Sequence, residues 1–150
     1  MVPELPEGPW WEWDVLPAQP GLFVLGADFD LSYHHGLELR FHEPVFVQCP
    51  EYFMDPVFRE ATAAEVERVA GAVGVAGAVG VGGTDGVGEV AGGLPEVLVA
   101  FECDAGGADP ETGLIAARRL ETVTGVVFRY WREQVEPGQR RAPWVRPPGE

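Results

Sequence analysis

Lysine is absent from this 150-residue chain, and all ten basic residues are arginine. That excludes the Gly-Lys-Ser/Thr phosphate loop, whose lysine reaches the phosphates. Arginine used exclusively, beside 20 glycines and 14 prolines, reads as the codon bias of a GC-rich genome, so no arginine chemistry is inferred from it. Cysteine is scarce as well. Cys49 and Cys103 are too few for a disulfide scaffold and have no second ligand at metal spacing, so both are expected to be reduced and partly buried. Cys49 shares the apolar parity of Val45 and Val47, which places it in the core rather than at a nucleophile position. Ser32 lacks the Gly-x-Ser-x-Gly elbow of a serine hydrolase.

Long apolar runs are missing too. The stretch from Val69 to Gly83 is broken by glycine at 71, 74, 77, 80, 82 and 83, and falls short of the roughly 20 strongly apolar residues that span a bilayer. Met1 to Glu7 holds no basic residue and no apolar run of the secretory type, so a cytoplasmic location is expected.

What is abundant is negative charge, and it is unevenly placed. Residues 1–117 hold 20 acids against 3 arginines, whereas residues 118–150 hold 7 arginines against 4 acids. A body of that sign repels nucleic acid and anionic membrane, and the partner it favours is a basic protein. Arg129, Arg132, Arg140, Arg141 and Arg146, interleaved with Tyr130, Trp131 and Trp144, resemble a single-strand-binding mixture in composition. With the rest of the chain so acidic, these arginines are expected to pair internally with that surface.

Leu37 to His42 alternates strictly between apolar and polar residues, the period of a half-buried strand. Leu37, Leu39 and Phe41 should face a core, and Glu38, Arg40 and His42 water. Glu43-Pro44 cannot form a tight primed turn, so a bulge at a sheet edge is expected inside one long strand that resumes at Val45. Leu22 to Leu25 reads as an earlier strand, extended or followed by a short one over Ala27 to Leu31. Asp55-Pro56 reads as a turn between aromatic anchors. Thr62 and Glu65 make a capping box, from which a helix starts near Ala63 and is expected to end by Gly71, since each interior glycine costs about 1 kcal/mol.

Residues 71–93 form a low-complexity Gly/Ala/Val segment expected to be a loop. Val97 to Phe101 is an apolar strand. Thr124-Gly125 is a two-residue hairpin signal between two further strands.

These signals predict one α+β domain: an antiparallel sheet of five to seven strands with one helix near 63–70. An all-β sandwich or small barrel is the alternative. A Pro/Trp-rich arm (1–20), carrying Trp10, Trp11 and Trp13, and a Pro-rich tail (136–150) flank it. The arm should dock back on the domain, since three exposed indoles would form an aggregation-prone patch.

Chemistry-bearing residues concentrate between Asp28 and Glu43. His34, His35 and His42, with Asp28 or Asp30, could form a mixed N/O site if the chain turned near Gly36. On one strand, His34 and His42 would stand over about 25 Å apart. No metal or cofactor is therefore expected. The function these residues favour is a non-enzymatic protein-binding module, of which immunity-like neutralisation of a basic partner is one form. A small metal-dependent hydrolase or lyase using those histidines, and a small-molecule-binding β-barrel, are the other readings.

Overall fold

The structure is a computed structural model that describes residues 1–81 and 95–149, with 75–81 described by their backbone alone. Its elements are β1 (Glu12–Val15), β2 (Leu22–Asp28), β3 (His34–Gln48), β4 (Tyr52–Arg59), α1 (Ala63–Val81), β5 (Val97–Asp104), β6 (Glu111–Phe128) and β7 (Arg140–Arg141). The sheet order is β3-β2-β1-β4-β5-β6-β7, and β3 also pairs with β6. Six strands therefore close into an antiparallel barrel, and β7 adds to β6 in parallel.

Alternation sets the two faces of the barrel wall. Leu25 and Ala27 on β2, Leu37, Leu39 and Phe41 on β3, Val99 and Phe101 on β5 and Ile115 on β6 are fully buried inside it. Trp13 and Phe53, paired across β1 and β4, stack there, and Phe58 and Phe101 extend the aromatic group. The barrel interior is thus filled by side chains, as in other small barrels.

Leu98, Ala100, Leu114 and Ala116 have the opposite parity and pack outside, against Val69 and Val73 of α1. Because both its faces are covered, β5 reads as a continuous apolar run instead of an alternating one.

The capping box forms as expected. Thr62 N–H donates to Glu65 Oε1 at 2.9 Å, and Glu65 N–H to Thr62 Oγ1 at 3.1 Å. The helix nevertheless passes Gly71 and Gly74 and continues to Val81. Glycine lowers helix propensity without forbidding the conformation, and Val69 and Val73 anchor this segment on the barrel. The rest of the expected loop, 82–93, lies outside the described residues.

The anticipated bulge on β3 is present. Glu43 sits at φ 52, its N–H donates to Gly21 O at 2.9 Å, and the register with β6 shifts between Pro44 and Phe46. Pro44 faces Ala117 on β6, while pairing with β2 stops at His42, so the missing proline N–H falls on an open edge.

Two expected turns are bulges instead. Asp55, at φ 48, lies within β4, where the register with β5 shifts between Met54 and Val57. Gly125, at φ 126, lies within β6, where three steps from Thr124 to Val127 oppose two from Leu37 to His35. A positive-φ glycine serves a bulge as well as a hairpin, and the continuous partner β3 selects the bulge.

One glycine is required for space. A Cβ on Gly113 would lie 2.1 Å from Cζ of Phe101, the residue opposite it on β5. The Phe101 ring is fully buried among other rings and has nowhere to retreat. Gly113→Ala is expected to destabilise the protein by about 1–3 kcal/mol, as overpacked cores are. A urea unfolding midpoint equal to wild type would show that the ring can shift.

Candidate functional site

The three histidines go to three different carboxylates. His34 Nδ1 lies 2.9 Å from Asp28 Oδ2, His35 Nε2 2.7 Å from Glu38 Oε2, and His42 Nε2 2.9 Å from Glu121 Oε1. Asp30 is exposed, and its Oδ1 accepts from Ser32 N–H in a local turn. Among the described residues no three His, Cys, Asp or Glu side chains come together in a metal-holding group.

Two arrangements that the sequence reading did not identify stand out. The first is a hydrogen-bonded group of charges around the buried His35 and Glu38, beside the C-terminal tail. Arg129 forms a bidentate pair with Asp14, at 2.7 and 2.8 Å, and its Nε donates to His35 Nδ1 at 3.0 Å. Because Nδ1 accepts, the proton of this fully buried imidazole is on Nε2, which donates to Glu38. Glu38 also accepts from Arg40 Nε at 2.8 Å and Arg140 Nη2 at 2.7 Å. Gly26 leaves room for the Arg129–Asp14 pair, since a Cβ there would lie 2.9 Å from Arg129 Nη2.

Alternation alone had Glu38 facing water, but it is 5% exposed, because the tail carrying Arg140 lies over that part of the barrel. Desolvation pushes the Glu38 carboxyl upward. The hydrogen bonds from His35 and Arg40 and the charge of Arg140 outweigh it and hold the group down at about 2.

Internal pairing of the tail arginines is therefore partial. Arg129 and Arg140 meet acids, whereas Arg141 and Arg146 donate to backbone carbonyls and Arg132 lies over the Phe128 ring.

The second arrangement is an open cleft of about 390 Å³ between the β4 bulge and the β5–β6 turn. The bulge sets one wall: Asp55 N–H donates to Trp11 O at 2.9 Å, which brings Trp11 beside Met54 and Val57. The opposite wall is the turn after β5, where Asp104 Oδ1 accepts from Gly106 N–H at 2.9 Å and Asp109 follows.

Trp11 and Val57 are 47% and 62% exposed there, in contrast to Trp13, which is fully buried with its N–H donated to Trp10 O. Of the four acids lining the cleft, Glu102 is paired with Arg59 at 2.6 Å. Asp55, Asp104 and Asp109 form no salt bridge among the described residues. Their shared surface could not be read from the sequence, because Asp55 in the β4 bulge stands 49 residues or more before Asp104 and Asp109 and only the β4–β5 pairing unites them.

Both thiols are held above their ordinary range. Burial pushes Cys49 up to about 12 and Cys103 up to about 11. Cys49 packs against the barrel core and Cys103 is part of it. Among the described residues no helix is long and apolar enough to cross a membrane. No family model, curated protein or solved structure matches the chain.

Proposed function

We propose that this protein is a non-enzymatic binding module for a basic protein partner, and that the cleft around Trp11 receives the partner's cationic side chains. The supporting observation is the conjunction of exposed Trp11 and Val57 with three carboxylates that form no salt bridge among the described residues. An indole face and nearby carboxylates together suit an arginine or lysine side chain, whose stem covers apolar surface while its head meets charge. The net charge of −14 would draw such a partner in and speed the encounter. Neutralisation of a basic protein in the manner of an immunity protein is one form this binding would take. The hydrolase or lyase reading has less support, since His34, His35 and His42 are each engaged by a separate carboxylate.

A lysine/arginine-rich peptide titrated while tryptophan emission is followed tests the proposal at about 0.15 M salt, where exposed charges more than about 8 Å apart are largely screened. Replacing Asp55, Asp104 and Asp109 together by asparagine is expected to weaken binding at least about tenfold, and Trp11→Ala a few-fold. Neutralising Glu4, Glu7 and Glu43 removes the same charge elsewhere and should have a much smaller effect. Equal losses in the two triple variants would reduce the interaction to net charge and overturn the assignment of the cleft.

A further inference from the structure

Arg40 and Arg140 reach the same buried carboxylate from different elements, and neither guanidinium is exhausted by it. Each gives one N–H to Glu38. Arg40 Nη1 forms only a long ion pair with Glu121, at 3.8 Å, and Arg140 makes no other side-chain hydrogen bond among the described residues. Both line a cleft of about 130 Å³ between the barrel wall and the tail, whose apolar walls include Leu16, Leu22 and Trp144. His35 is neutral in the observed hydrogen-bond arrangement, so among the side chains that line the cleft two arginines against Glu38 leave one net positive charge, with Glu121 3.8 Å from Arg40 outside the lining. In a chain of net charge −14, such a spot is the reverse of the general surface.

We propose that this cleft is a binding site for a small organic monocarboxylate. A planar carboxylate matches the fork of a guanidinium, and the remaining N–H groups of Arg40 and Arg140 are the donors it needs. One negative charge balances the lining, whereas a dianion would be repelled by Glu38, which His35 holds in place. Leu16, Leu22 and the Trp144 side chain take the attached carbon skeleton. The volume sets the size: a cavity of ~150 Å³ holds benzene, so a ligand of up to about six non-hydrogen atoms fits. This site is separate from the Trp11 cleft and does not depend on the function proposed for it.

The test uses the whole protein and follows the Trp144 indole N–H by NMR during titration with sodium propionate, propionamide and inorganic phosphate at matched ionic strength. Propionate is expected to give a saturable shift that neither propionamide nor phosphate reproduces. Arg140→Gln should weaken propionate by about tenfold or more, the worth of a charge-assisted hydrogen bond. Leu22→Trp should fill the cleft and abolish saturation. Failure of propionate to saturate would overturn the proposal. An equal response to propionamide would reduce the site to an apolar crevice, and an equal response to phosphate to a general attraction for anions; either result also overturns it. The comparison of the three probes on the wild-type protein decides the matter even if a variant fails to fold.

Discussion

Replacing Glu38 by alanine is expected to cost about 3–5 kcal/mol, because it leaves Arg40, Arg140 and the Nε2–H of buried His35 facing a site with no acceptor. The same carboxylate gives stability a specific dependence on pH. Its folded value of about 2 lies below the ordinary 4.5, so the unfolded chain takes up the proton more readily than the native one. The Glu38 contribution is then complete above the unfolded value and is lost as pH falls from about 5 towards 2. On the order of 3 kcal/mol is at stake over that window. Guanidinium unfolding at a series of pH values measures it. Glu38→Gln keeps the shape and removes the titration, so its stability should fall less steeply than wild type below pH 5. Parallel acid limbs for the two proteins would show that Glu38 is not held down by its partners.

Trp13→Ala is expected to cost about 3–5 kcal/mol as well, by emptying the largest fully buried side chain from the centre of the barrel. The loss includes its stacked contact with Phe53 and its edge contact with Phe58, whose ring centroids lie 6.1 and 5.7 Å away. Trp11, two residues earlier and just ahead of β1, is half exposed. Trp11→Ala should therefore change stability by no more than about 0.5 kcal/mol. Urea denaturation of the two variants separates the structural indole from the one assigned to binding. A Trp13→Ala variant within 1 kcal/mol of wild type would mean that Phe53, Phe58 and Phe101 collapse into the space.

Features set by a few neighbouring residues were legible before any coordinates. The period of two from Leu37 to Phe41 placed three side chains in the core. Thr62 and Glu65 started the helix, and Glu43-Pro44 marked a bulge on an open edge. In each case the deciding interaction lies within about five residues, so pattern and propensity suffice. Gly125 carries a hairpin signal and Asp55-Pro56 a turn signal, and both positions are bulges. The same positive-φ geometry serves both uses, and only the run of the partner strand distinguishes them. The burial of Glu38 depends on Arg140, which is 102 positions further along the chain, and the Trp11 cleft depends on the pairing of β4 with β5. By itself the sequence determined the β2, β3 and β5 strands, the capped start of the helix and the acidic balance of the molecule, because those follow from local periodicity and composition. The tertiary structure alone decided barrel closure, the burial of Glu38 with His35 and Arg129 and the meeting of three aspartates with Trp11, because each joins residues whose proximity no local pattern records.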